Sequence, residues 1–231
     1  MACKPIPVSH SLYDFGAWAH EYDRWYETPA GRVHDRSHKE DVLRLLREPK
    51  PGDRLLDVGC GTGHWSRFFA SRGYRVVGAD LSERMIAMAK ASAPDGCAFH
   101  VADACSLPFA EASFDVATAM SALEFISCVE TAIGEMARCT RAGGSILIGT
   151  LNRLSPLNRK RLSRGQEPYV SGRLLAPNEL WTLLAPFGTV RMIASSPRDE
   201  AARGGDVVRR LEAGPERLSG PFLLAEVRKW A

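Results

Sequence analysis

At 231 residues, 45% hydrophobic and with a formal net charge of +3, the chain has the size and composition of one globular domain. It lacks the clustered basic face of a nucleic-acid binder and any apolar run near the roughly 18 residues that span a bilayer. The opening Met1-Ala-Cys-Lys-Pro-Ile-Pro7 has no apolar signal-peptide core, so a single cytoplasmic domain over 1–231 is expected. Cys3, Cys60, Cys97, Cys105, Cys128 and Cys139 form no CxxC pair and match no His spacing typical of zinc sites. They read as free thiols in a reducing compartment, with no metal site.

Residues 1–50 predict a helical cover. Phe15, Trp18, Tyr22, Trp25 and Tyr26 stand three and four apart, the period of one helix face over 11–27. A second helix, about 33–47, carries Val42, Leu43, Leu45 and Leu46 and stops before Pro49 and Pro51, which cannot continue it. Residues 51–151 then alternate strands at 54–58, 74–79, 98–102, 113–119 and 145–150 with helices at 63–72, 82–92 and 129–140, with a turn at Gly143-Gly144 before the last strand. Residues 152–231 add a helix at 177–185 and strands at 187–195 and 220–229. Strands separated by helices imply parallel crossovers and a doubly wound, Rossmann-like α/β sheet.

Two insertions interrupt the second half. Residues 152–173 hold Arg153, Arg159, Lys160, Arg161, Arg164 and Arg173 against the single acid Glu167, as either a solvated face or an anion-binding lid. Residues 197–217 mix both signs around Gly204-Gly205.

The chemistry is concentrated after the first predicted strand, in Asp57-Val-Gly59-Cys-Gly61-Thr-Gly63. A strand, a glycine turn and a helix bring backbone N–H groups against a ligand at the carboxyl ends of a parallel sheet. The dinucleotide fingerprint would place its third glycine at position 64, which is His64. Asp57 in front of the loop is also a poor neighbour for a pyrophosphate and a good one for an ammonium or sulfonium. Asp80 ends the next strand, where the fold carries a carboxylate for ribose hydroxyls; Leu81 follows it as an apolar wall for adenine. Asp103 follows the third strand and can accept from an adenine amino group.

With these residues in view, Leu55 to Thr150 resembles the class I S-adenosylmethionine-dependent methyltransferases, close to the small-molecule branch that includes ubiquinone and menaquinone biosynthesis methyltransferases. The resemblance is carried by Leu55-Leu-Asp-Val-Gly-Cys-Gly-Thr-Gly63, Val77-Gly-Ala-Asp-Leu-Ser82, Ala102-Asp-Ala-Cys-Ser-Leu-Pro-Phe109, Ser113-Phe-Asp-Val116 and Arg141-Ala-Gly-Gly144. It implies S-adenosylmethionine as cofactor, S-adenosylhomocysteine as product, and a seven-stranded sheet whose last strand is antiparallel. It also implies Gly59 and Gly61 under the methionine moiety, Asp57 near its amino group and Asp80 on the ribose. Leu81 would pack on adenine, Asp103 and the Ala104 backbone would read the adenine edge, and Met120 and Ser121 would line the sulfonium. Tyr22, in Tyr22-Asp-Arg-Trp-Tyr26, resembles a tyrosine that reaches the methionine carboxylate in relatives; otherwise its helix is a packed cover.

A sulfonium methyl is already activated, so transfer is an in-line displacement in which holding the partners in line does most of the work. A base is needed only for an acceptor that must lose a proton, and Tyr22 and Glu124 are the candidates. Cys60, His64, Trp65 and Asp115 read as structural. The expected acceptor is a small molecule, anionic if Arg153 and the basic segment read it, handled by a monomer or homodimer. A nucleic-acid methyltransferase is disfavoured because Ala119-Met-Ser-Ala-Leu123 contains no Asn/Asp-Pro-Pro-aromatic tetrapeptide to hold a flipped base. A cofactor-binding scaffold without turnover and a nicotinamide oxidoreductase are the remaining alternatives.

Overall fold

The computed structural model describes residues 10–195 and 218–230. Its centre is a seven-stranded sheet: β1 (Arg54–Val58), β2 (Arg75–Asp80), β3 (Cys97–Val101), β4 (Phe114–Met120), β5 (Thr140–Leu151), β6 (Gly188–Ser195) and β7 (Phe222–Lys229). The spatial order is β3-β2-β1-β4-β5-β7-β6. β1 to β5 pair in parallel, and β7 runs antiparallel between β5 and β6. The expected doubly wound sheet with an antiparallel last strand is therefore present. Order reverses between β1 and β4, and a crevice opens there at the carboxyl ends of the strands.

The central strands are apolar almost throughout because both faces are covered. Leu55 and Leu56 on β1 and Ile146, Leu147 and Ile148 on β5 have no exposed surface. α4 (His64–Ser71), α5 (Glu83–Ala91), α6 (Val129–Cys139) and α8 (Pro177–Leu184) supply the crossovers and the covering layers. Leu56, Leu123, Ile133 and Leu180 share one core cluster, and Val42, Leu55, Phe69 and Leu147 another on the opposite face. No described helix is long and apolar enough to cross a membrane.

Four expectations are corrected. The single helix over 11–27 is instead a 3-10 turn (Phe15–Trp18) and two short helices, α1 (Ala19–Tyr22) and α2 (Arg24–Glu27). Trp18 and Trp25 point to solvent at 54% and 45% exposure, while Phe15 packs on Phe125, so the aromatics do not share one buried face. The second helix, α3 (Pro29–Leu45), starts four residues early, because Thr28 caps the Gly31 N–H and Pro29 opens its first turn. Gly143 and Gly144 lie inside β5 rather than in a separate turn, beside the irregular register near Phe114. The basic insertion contains α7 (Pro156–Ser163), capped by Ser155; the insertion at 197–217 lies outside the described residues.

Candidate cofactor site

The carboxyl ends of β1 to β4 open on a cavity of about 420 Å³. Among the expected residues, Tyr22, Gly59, Gly61 and Asp80 line it, together with Leu81, Asp103, Ala104 and Ser121. Asp57, Met120 and Glu124 stand behind that lining.

Gly59 and Gly61 have φ of +68° and +53°, in the left-handed region that favours glycine. A Cβ on Gly59 would lie 2.4 Å from that of Ala122, whereas one on Gly61 would meet nothing within 4 Å and would project into open space. The first glycine lets β1 and β4 approach; the second leaves backbone bare for a ligand. Asp80 fixes the loop, accepting the Gly61 N–H at 2.9 Å and the Ser82 N–H at 2.8 Å.

Asp57 is buried between β1, α4 and β4. Its oxygens accept from Ser66 Oγ at 2.6 Å and Thr118 Oγ1 at 3.1 Å, so its contacts are structural ones beneath the loop. Burial pushes its carboxyl up to about 6 against those two hydroxyls. Burial also raises the Asp80 carboxyl. Glu124, with no exposed surface, is pushed up to about 7 by desolvation. Its Oε1 accepts the Leu151 N–H at 2.7 Å, and its Oε2 has no hydrogen-bond partner.

Thus two buried acids, Asp57 and Glu124, stand behind this cavity and a half-buried one, Asp80, lines it, and the hydrogen bonds they accept come from hydroxyls and backbone, not from Lys or Arg. Their combined field favours a cation.

Met120 is 5% exposed, and its Cε methyl would lie 2.5 Å from a Cβ on Gly149 of β5; it is core, not lining. Ser121 lines the cavity at φ +53°, held there by its N–H donating to Gly149 O at 2.7 Å. A non-glycine residue in that conformation is strained, and such strain concentrates at functional sites. Leu81 is 41% exposed on the cavity wall, an apolar surface for a flat ring.

The cover joins the glycine loop through side chains. Thr62 Oγ1 donates to Asp23 Oδ1 at 2.6 Å, and Arg67 lies 3.4 Å from the other Asp23 oxygen. Tyr22 sits edge-on to Phe15 and Tyr26, and burial pushes its hydroxyl up to about 12, so it stays neutral. His64 stacks on Tyr26 at 3.7 Å and pairs with Asp35, and Trp65 is core, so both are packing residues as expected. Asp115 holds Arg141 and the Arg54 N–H, a structural role. Burial raises the Cys60 thiol well above its ordinary value, which disfavours the nucleophilic thiolate.

The sequence reading missed the strap over residues 10–15, all of which line the cavity. His10 Nδ1 lies 2.5 Å from Asp103 Oδ2 and the Cys105 N–H donates to Asp103 Oδ1 at 2.9 Å, so both oxygens of the acid expected to read adenine already have a partner. No periodicity marks such a segment; only the density of aromatic residues hints at it. The free-thiol expectation is corrected at the same place: Cys105 and Cys128 are disulfide-bonded. The loops after β3 and β4 converge there, a proximity that a sequence separation of 23 conceals, and the inference from free thiols to a reducing compartment falls with it. Arg153 Nη2 donates to Glu179 Oε1 at 2.7 Å in a half-exposed pair.

The sequence family described as "Methyltransferase domain" matches residues 56–148. A malonyl-[acyl-carrier protein] O-methyltransferase of Erwinia pyrifoliae is 39% identical over 110 residues, 47% of this chain and 42% of that protein. A demethylmenaquinone methyltransferase of Beutenbergia cavernae is 41% identical over 99 residues, 43% of this chain and 41% of that protein. The chain thus matches less than half the length of either relative. The fold is shared across nearly the whole chain with an S-adenosylmethionine-dependent methyltransferase from Thermotoga maritima, at a TM-score of 0.70, 24% identity, and coverage of 93% of this chain and 98% of that one. Residues 56–148 thus match the methyltransferase-domain family, and the chain as a whole shares its fold with the Thermotoga maritima protein.

Proposed function

We propose that the chain transfers the methyl group of S-adenosylmethionine to a small-molecule acceptor by in-line displacement. The observation that carries this reading is a glycine-floored cavity at the sheet's switch point, with Asp80 on its wall and the buried carboxyls of Asp57 and Glu124 behind it, none of them paired with Lys or Arg. An ammonium and a sulfonium suit that field, and a pyrophosphate does not. In this reading Gly59, Gly61 and Ser121 carry the methionine end, with Tyr22 donating to its carboxylate. Asp80 takes the ribose hydroxyls, Leu81 packs on adenine, and Asp103 with the Ala104 backbone reads the adenine edge. Asp57 and Met120 support the loop from below.

Glu124 is the group assigned to take the acceptor's proton. Its Oε2 has no hydrogen-bond partner and lies behind the lining residues Ala122 and Phe125, so the proton would reach it through an intervening hydroxyl or water rather than by direct contact. The relatives named above act on a malonyl group carried by a protein and on demethylmenaquinone. An acceptor with a carboxylate or phosphate fits the exposed cations Arg159, Lys160 and Arg164 on and beside α7 better than it fits Arg153, which Glu179 holds.

The test is methyl-labelled S-adenosylmethionine incubated with the chain and a fractionated small-molecule extract. Label transferred to a low-mass product, and lost with Asp80→Asn, is the expected result. Binding of S-adenosylhomocysteine without transfer to any fraction would point to a cofactor-binding scaffold.

A further inference from the structure

β3 and β4 are separated in the sheet by β2 and β1, three strand spacings or about 14 Å. Even so, the chain leaving one strand is bonded to the chain leaving the other. Cys105 lies in the turn after β3 and Cys128 caps α6, their Cα atoms 6.5 Å apart and both residues half-buried. The bond joins the two loops that wall the cavity: Asp103 and Ala104 precede Cys105, while Phe125 and Ile126 precede Cys128.

The strap spans the same two loops. Leu12 N–H donates to Phe125 O at 2.8 Å, Ser127 N–H donates to His10 O at 2.9 Å, and Ser11 bridges Ile126. On the opposite wall His10 Nδ1 meets Asp103 Oδ2, and Asp103 Oδ1 accepts the Cys105 N–H at 2.9 Å. Crosslink, strap and Asp103 form one connected unit around the cavity mouth.

We propose that Cys105 and Cys128 are a reversible thiol–disulfide site whose oxidised form holds the cofactor cavity in its binding shape, so that cofactor affinity follows the redox state of the pair. This rests on the cofactor reading above. The co-reactant is a low-molecular-weight disulfide. One cysteine thiolate attacks it, forming a mixed disulfide and expelling one small thiolate; the second cysteine then displaces the other. Two protein thiols lose two electrons and two protons, and one small disulfide becomes two small thiols. Reduction runs the same steps backwards. Leu107 and Phe109 are tied to Glu135 and Arg138 of α6 farther along, but at the mouth itself, without the crosslink, the walls are joined through the strap's few hydrogen bonds, and ordering them falls more to the ligand.

The experiment is calorimetric titration of S-adenosylhomocysteine into the full chain, oxidised with glutathione disulfide or reduced with dithiothreitol. Affinity is expected to fall about tenfold on reduction, a typical coupling between linked sites. Reciprocity then requires saturating S-adenosylhomocysteine to make the pair's midpoint potential more negative by about 30 mV, that same tenfold for a two-electron couple. The Cys105→Ser/Cys128→Ser chain should bind like the reduced protein in either redox buffer. The potential shift is read on the unaltered chain, so it decides the matter even if the variant does not fold.

Equal affinity in both states with an unmoved potential overturns the proposal and leaves the cofactor reading standing; binding in neither state overturns both. The ligand atoms of His10, Cys105 and Cys128 lie within 4.8 Å of one another. Tight binding by the reduced chain that requires stoichiometric zinc and vanishes with a chelator would therefore also overturn the proposal, in favour of a metal clamp.

Discussion

On the proposed reading, Asp80 and Glu124 divide the site's chemistry between them. Asp80 holds the Gly61 N–H and, on the proposed reading, the ribose hydroxyls, so Asp80→Asn keeps the shape and removes the charge. Hydrogen bonds to a charged group are worth about 1.5–3 kcal/mol. Affinity for S-adenosylhomocysteine, measured by calorimetry, should accordingly fall at least about tenfold. Glu124, with its carboxyl pushed up to about 7, should give kcat/KM a limb that rises with pH through about 7 as the base ionises. Glu124→Gln should flatten that limb and lower the rate about a hundredfold; an unchanged pH profile would remove Glu124 from the mechanism. Asp80, Leu81, Asp103, Gly59 and Gly61 were legible as residues at strand ends, because a parallel sheet presents those positions to one crevice. His10 was not legible, since its role depends on a strap whose docking is tertiary. Asp57 was recognisable as an important acid, but its two hydroxyl partners come from α4 and β4 and set it beneath the loop.

Among the elements, the broken N-terminal cover departs most from its periodicity. Its aromatic spacing fits a helix, but Asp23, at the junction of α1 and α2, turns its carboxylate to Thr62 and Arg67 of the glycine loop and α4. Asp23→Ala should separate cover from loop. We expect affinity for S-adenosylhomocysteine to drop about threefold to tenfold, because Asp23 is partly exposed and its ionic contact is screened. The sheet should keep its melting temperature, since no core contact is lost. Thr28→Ala acts differently: it removes the cap of α3 and should cost about 1 kcal/mol in a denaturant titration, with the cofactor contacts intact. The β1–α4–β2–α5 run was legible almost to the residue because its alternation is buried on both faces. α3 began earlier than expected because Thr28-Pro29, a cap followed by a helix-opening proline, was overlooked as a start signal.

Across the whole molecule, buried acids set the pH dependence of stability. A carboxyl whose pKa is raised by folding lowers stability as pH climbs from its unfolded value to its folded one. For Asp57 that window runs from 3.8 to about 6, and for Glu124 from 4.5 to about 7. Each costs up to about 3 kcal/mol across its window. Urea midpoints should therefore be lower at pH 8 than at pH 5, and Glu124→Gln should recover part of the difference; a midpoint that rises with pH in both proteins would contradict these environments. The sequence by itself determined the doubly wound sheet and the glycine loop at its switch point, because strand and helix periods and the glycine spacing are local properties of the chain. Only the tertiary structure decided which acids face the cavity, that Glu179 occupies Arg153, and that Cys105 and Cys128 meet. Those outcomes depend on loops that leave separate strands and converge across the sheet, and neither composition nor spacing records which loops will meet.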